Sequence, residues 1–341
     1  MPDNDPVIDL DSFCHFLSED HFTERFWLVV ELGTTLAVSS LIGNLLLSIF
    51  LALNRFRKNS IWTYLLILAI CDVFVSVSYP LLNVVPIWYR SERNVSLKNI
   101  WMSYQKLVVT ASNITISLGS FLILFAALER LVLSKLVRLT ITLKNNRKSI
   151  IIAGLVLSVL SYGSMMFETQ FIRDPKCAGT INENFLTVTS LTRNWGFLLQ
   201  SYRTVFGILL SLLAFIAALG CMFAKARTQV YGPVAQKEAD LENTNQATIR
   251  SRTLLLLAIT NLMSPVLGAV IYAWEHIDSE SLINNLFFYV IAIDMLSLLT
   301  IVACALRLLI YLLCEPEFRQ DFKNFLVCKK NELQHSEVAG L

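Results

Sequence analysis

The sequence predicts an all-α fold, a seven-transmembrane helix bundle with a short amphipathic eighth helix, and three observations predict it. Seven apolar stretches fill the chain near residues 26–53, 61–88, 101–133, 149–171, 195–224, 252–275 and 283–313, and a bilayer core ~30 Å thick is crossed by ~20 helical residues. Hydrophobic residues make up 55% of the 341 positions and charged ones only 16%, where soluble domains carry about a quarter. The basic residues of the connecting loops are shared unequally between the two sides of the bundle, the asymmetry that membrane insertion imposes.

Residues 1–25 form an amino-terminal segment ahead of the first helix. It is acidic (Asp3, Asp5, Asp9, Asp11, Glu19, Asp20) and lacks the basic start and apolar run of a cleavable signal, so the first helix is expected to serve as the insertion signal. Residues 26–313 are the seven-helix domain, helical because backbone amides in lipid must be satisfied within their own segment. Of the 28 Lys and Arg, seventeen fall in loops on one side, among them Arg55, Lys58, Lys135, Arg147, Lys225, Arg252, Lys329 and Lys330. The positive-inside rule makes that side cytoplasmic. The expectation is a multi-pass plasma-membrane protein with an extracellular amino terminus. A glycosylation sequon at Asn94-Val95-Ser96 then lies in the first outer loop; a second, at Asn113, falls within the third helix and reads as accidental.

Residues 314–341 are expected to hold the amphipathic helix and a short cytoplasmic tail. Phe318, Phe322, Phe325 and Leu326 share one helical face, with Arg319, Asp321 and Lys323 on the other, the pattern of a helix lying in the membrane interface. Pro316 suits its first turn. Cys328, beside Lys329-Lys330, is a palmitoylation candidate, with an ordinary reduced thiol as the alternative. Of seven cysteines, only Cys14 and Cys177 fall on the oxidising side. A Cys14–Cys177 bridge is the expectation and two free thiols the alternative.

Several function classes are disfavoured. The basic residues are spread over short loops rather than gathered on an aromatic-rich face, so nucleic acid is no partner. The four histidines lie outside the apolar runs, and no metal-ligand spacing, nucleophile elbow or phosphate loop occurs. Neither catalysis nor a cofactor or metal is expected. A transporter or channel would commonly show internal repeats with broken helices, and none is evident.

The motifs point elsewhere. Glu129-Arg130-Leu131 at the end of the third helix resembles the D-R-Y motif of rhodopsin-like G-protein-coupled receptors. Gly43-Asn44, Leu68-Ala69-Ile70-Cys71-Asp72, Pro265, and Tyr311 followed by Glu317-Phe318-Arg319 match in the same order. The stretches from Leu68 to Tyr79 and from Met166-Phe167-Glu168 through Cys177-Ala178-Gly179-Thr180 resemble nematode receptors related to the FMRFamide-type neuropeptide receptors. The resemblance implies a receptor that binds an extracellular peptide or small-molecule ligand and activates a heterotrimeric G protein. The alternatives are a chemosensory, odorant-type seven-helix receptor and, more distantly, a channel or transporter.

By that resemblance Arg130 sits at the inner mouth of the bundle, held by Glu129 at rest, while Pro265 supplies a hinge in the sixth helix. Asp72 matches a buried aspartate that often helps hold sodium. Where the pattern N-P-x-x-Y is expected, however, the chain reads Arg307-Leu308-Leu309-Ile310-Tyr311, so a permanent cation replaces an amide. Low dielectric strengthens opposite charges and penalises isolated ones, which predicts an Asp72–Arg307 pair; the rival is Arg307 snorkelling to the cytoplasmic face.

A ligand site should open outward between helices. Ser112 occupies the place of the amine-binding aspartate, so a monoamine is disfavoured, and the seventh helix has no lysine for retinal. The remaining candidates are Gln105, Lys106, Ser112 and Asn113 on the third helix, and Gln200, Tyr202 and Arg203 on the fifth. Tyr272, Trp274 and Glu275 join them from the sixth and Asp294 from the seventh. Asp294, with no base near it in sequence, is the first choice for reading a ligand cation, with Glu275 beside it.

Overall fold

The computed structural model describes residues 22–53, 61–133, 146–177, 179–180, 183–231, 237–278, 280, 285–316 and 318–325. Seven helices are long and apolar enough to cross a membrane. Helix α1 spans Phe22–Leu53, α2 Trp62–Ser91, α3 Val95–Leu133, α4 Arg147–Phe167, α5 Ser190–Tyr231, α6 Lys237–Ile277 and α7 Leu286–Cys314. A short helix α8 follows at 318–325. The chain is a multi-pass membrane protein, and its outward faces are apolar: on α4, Ile152 is 60% and Leu160 72% exposed. A water-soluble helix would hide such a surface.

One feature lies outside the predicted all-helical outline. The fourth apolar run, expected to stay helical to 171, ends in a 3-10 turn at Phe167, and strands β1 (Thr169–Arg173) and β2 (Asn184–Val188) pair as an antiparallel hairpin. The Glu168 carbonyl explains the break, because it accepts bonds from Thr189 N at 3.0 Å and Thr192 Oγ1 at 2.6 Å. That carbonyl is thereby committed to the start of α5 rather than to a further helical turn. The hairpin marks one end of the bundle, called here the hairpin end; α8 marks the other, the tail end.

Two helices reach the hairpin end through widened turns. α1 is π-helical over Phe26–Gly33 and α2 over Pro80–Val84; Pro80 has no N–H to give the regular ladder. The two irregular stretches meet. A Cβ on Gly33 would lie 1.9 Å from the Tyr79 hydroxyl, so only glycine admits the Tyr79 ring against α1. Asn94 caps α3, its Oδ1 accepting from Leu97 N at 3.0 Å, which starts that helix at Val95 instead of 101.

Two apolar clusters form the core. The larger, toward the tail end, gathers Leu47, Phe50, Tyr64, Leu68, Leu122, Ala126, Leu257 and Tyr311; the smaller, toward the hairpin end, gathers Val29, Ala37, Val75, Tyr79 and Ile301. Helix α8 turns its aromatic face to the bundle. Its Phe318, Phe322 and Phe325 pack on Phe50 with ring centroids 5.1, 5.3 and 5.5 Å away, and Phe318 is 1% exposed. The aromatic face predicted for this helix packs on the core. Leu326 and Cys328 lie outside the described residues.

The hairpin is closed by charge. Glu183 accepts the Gly179 amide at 2.7 Å and pairs with Arg173 at 2.6 Å. The amide bond first, and the guanidinium after it, hold the Glu183 carboxyl below its ordinary range. A depressed folded value contributes stability above the ordinary carboxylate range that is lost as pH falls through the folded value. Amide exchange of residues 169–188 is therefore expected to quicken as pH drops below about 4.5, once corrected for intrinsic exchange rates, and Glu183→Gln should flatten that dependence.

Candidate functional site

Between the two apolar clusters lies a polar layer. Arg307 of α7 donates through Nη1 to Asp72 Oδ1 of α2, with the residues 6% and 2% exposed. The predicted pair is present, and the burial of Arg307 is the opposite of snorkelling. Asn44 of α1 donates to the carbonyls of Ser40 and Cys304, both at 3.0 Å, and the Ser76 and Ser40 hydroxyls share a 2.8 Å bond. Three helices are thus tied at one level. Around the pair a void of only about 20 Å³ remains, walled by Thr115, Thr260 and Asn261 among others.

Above it, toward the hairpin end, a cavity of about 400 Å³ opens between α2, α3 and α7. Tyr79, Asn83, Trp101, Gln105, Ser112 and Asn113 supply its polar atoms among walls of Val75, Val109, Ile116 and Ile293. Gln105 Oε1 and Trp101 Nε1 are buried with no hydrogen-bond partner among the described residues, one an acceptor and the other a donor. Val75, Ile116 and Thr300 line both the cavity and the small void beneath it. The cavity floor is therefore the ceiling of the ion pair.

The structure brings together part of the predicted ligand set and scatters the rest. Gln105, Ser112 and Asn113 line the cavity. Asp294 does not wait for a ligand cation: Arg25 of α1 chelates it, Nε to Oδ2 at 2.7 Å and Nη2 to Oδ1 at 3.1 Å. The base that Asp294 lacks in its own stretch of sequence comes from 269 positions away. Arg203 is likewise consumed, donating to Glu168 Oε2 at 2.8 Å and to Ser164 Oγ at 3.2 Å. Tyr202 is 51% exposed on an outward face, bonded to Ser161 at 3.1 Å. Lys106 reaches the Thr169 carbonyl and lies 4.4 Å from the Phe171 ring centroid, so it braces the hairpin. Gln200, Tyr272 and Glu275 form a separate group where α5, α6 and α7 meet.

At the tail end the structure adds a partner. Glu129, 1% exposed, pairs with Arg147 at the start of α4, Nη2 to Oε1 at 3.1 Å. The Tyr64 hydroxyl faces the same carboxylate. Tyr311 is 1% exposed and packs on Phe318 at 5.7 Å. Pro265 lies within an unbroken α6, and the neighbouring Met263 is 52% exposed and turned away from the cavity. Asn94 is exposed at the hairpin end. Cys177 is 1% exposed and is not one of the free thiols, which among the described residues are Cys71, Cys221, Cys304 and Cys314; Cys14 lies outside the described residues.

Sequence reasoning missed Arg25, Arg147, Glu168 and Asn261 as partners. Asn261 joins α6 to Ser120 of α3 at 3.0 Å and to Ser211 of α5 at 3.3 Å. A polar amide inside an apolar run was the available signal. The chain matches no protein-family model and no curated protein.

Breaking the midplane pair from one side leaves a buried charge that costs about 3–5 kcal/mol, whereas replacing both members is far milder. Arg307→Ala is thus expected to abolish surface expression, and Asp72→Asn with Arg307→Asn to restore most of it, as measured by surface immunolabelling and thermal unfolding in detergent. The same logic at the tail end predicts that Arg147→Ala lowers thermal stability more than Arg147→Ala combined with Glu129→Gln.

Proposed function

We propose that this protein is a plasma-membrane receptor of the rhodopsin-like type, with its amino terminus and hairpin end outside, that binds a peptide or small-molecule ligand and activates a heterotrimeric G protein. One observation carries the reading. The cavity at the hairpin end shares Val75, Ile116 and Thr300 with the void around Asp72 and Arg307, so a ligand that presses on the floor presses on the strongest link between α2 and α7. A packed, bistable core transmits such a shift because it does not deform continuously. Glu129 and Arg130 lie at the far end of the same α3 that lines the cavity, where a G protein would dock. The resemblance to neuropeptide receptors supports a peptide ligand.

The amino-terminal segment is tied in the same reading to the hairpin by a Cys14–Cys177 bridge, with a glycan at Asn94 and a palmitate at Cys328. The near-filled space around the ion pair, about 20 Å³, leaves little room for a permeating ion and weighs against a channel.

A peptide library screened for second-messenger responses in transfected cells tests the proposal. Once an agonist is found, Ile116→Trp and Gln105→Leu should lower its potency at least tenfold without changing the amount at the cell surface. Ion currents in cells lacking G proteins would replace the receptor reading with a channel, and responses to odorants alone would shift it to a chemosensory role.

A further inference from the structure

Much of the polar lining of the cavity between α2, α3 and α7 is already bonded within the protein. Asn83 and Asn113 donate their side-chain amides to the carbonyls of Tyr79 and Val109 at 3.0 and 2.9 Å. Ser297 and Thr300 donate to the carbonyls of Asp294 and Leu296 at 2.8 and 3.1 Å, and the Tyr79 hydroxyl donates to that of Val29 at 3.4 Å. Trp101 and Gln105 differ. Both line the cavity, yet Trp101 Nε1 and Gln105 Oε1 are shielded from solvent and have no hydrogen-bond partner among the described residues. Buried polar atoms in that condition are rare, and each leaves a hydrogen bond unmade.

The two open atoms define what is missing. Trp101 and Gln105 stand four residues apart on α3, one above the other on the same helix face, and the Trp101 ring packs on the buried Tyr89 ring with centroids 5.6 Å apart. The indole N–H can only donate and the amide oxygen can only accept, so the pair calls for an acceptor and a donor placed side by side. A primary amide or a lactam carries its C=O and an N–H along one edge, whereas a trans peptide bond turns them to opposite sides. A carboxylate has no donor and an ammonium no acceptor. Neither would find a counter-charge in this lining, which holds no acid or base, and burying an unpaired charge is expensive.

We infer that the cavity binds an uncharged, otherwise apolar ligand through a primary amide or lactam, whose carbonyl oxygen accepts from Trp101 Nε1 and whose N–H donates to Gln105 Oε1. The body of the ligand lies against Val75, Val109, Ile116 and Ile293. At about 400 Å³ the cavity has the size of a small-molecule site. Water standing at the two atoms is displaced without loss by a group that repeats its bonds. The site deepens the receptor reading and rests on it for its purpose.

The test uses the purified full-length chain in detergent micelles, with thermal unfolding followed against adamantane-1-carboxamide, its N,N-dimethyl amide, adamantane-1-carboxylate and N-acetyl-L-leucinamide. The primary amides are expected to raise the unfolding temperature saturably. The dimethyl amide, which has lost both N–H groups, and the carboxylate should need concentrations about tenfold higher. Trp101→Phe and Gln105→Met should each weaken the apparent affinity for adamantane-1-carboxamide about tenfold. Ligand-free Gln105→Met should unfold no lower than the wild type, because the oxygen it removes has no bond to lose. Should either variant not fold, the other decides, and the comparison of the two adamantane amides needs no variant. N-acetyl-L-leucinamide acting at the lower concentration supports the inference with the amide on the end of a peptide; the reverse order supports it with a compact small molecule. No saturable effect of either primary amide, equal affinity for the dimethyl amide, an unchanged affinity in a folded variant, or a lowered unfolding temperature of ligand-free Gln105→Met overturns it. Binding to the purified chain needs no G protein, so an absence of second-messenger signalling would sink the receptor reading and leave this site standing.

Discussion

The pairing of Asp72 with Arg307 is the constraint on which the rest of the bundle depends. An isolated charge at membrane depth is expensive, and here two are placed between apolar clusters, one toward each end. Neither helix can rotate or slide without exposing one member of the pair. Asn44, Ser40 and Ser76 extend the fixed level to α1, so three helices share one register. The two apolar clusters add packing above and below without specifying that register so sharply, because apolar contacts are non-directional.

The same rule of pairing explains why the candidate site differs from its sequence outline. Arg25, Arg147 and Arg203 each neutralise an acid on another element. Asp294 becomes a clamp between α1 and α7. Glu168 becomes a clamp between the end of α4 and α5, and with Lys98 and Lys106 holding backbone carbonyls of the hairpin it fixes the hairpin over the bundle. The cavity between α2, α3 and α7 is left with no charged side chain in its lining.

The irregular backbone falls where the cavity needs it. The π-helical turns of α1 and α2 lie at the hairpin end, and the contact of Gly33 with Tyr79 lets those turns approach closely. Widened turns shift the helical phase, and Tyr79 and Asn83, on either side of and within the α2 turn, both face the cavity. Toward the tail end α1, α2 and α7 are regular and tightly packed, with Phe50, Tyr64 and Tyr311 essentially buried. The widened turns thus lie at the cavity's end of the bundle, and the regular, closely packed turns at the other.

The seven crossings and the Asp72–Arg307 pair were legible in the sequence, because the cost of unsatisfied amides and lone charges in lipid acts on composition alone. So was the membership of Gln105, Ser112 and Asn113 in the cavity, since depth along α3 fixes their level. The sequence by itself determined which charges must be neutralised; only the tertiary structure decided by which partner. Arg25 reaches Asp294 across 269 positions and Arg147 reaches Glu129 from α4, outcomes set by how helices rotate and pack. The hairpin was hidden for a related reason: its pairing of Thr169–Arg173 with Asn184–Val188 exists only once both segments are anchored by the helices beneath them.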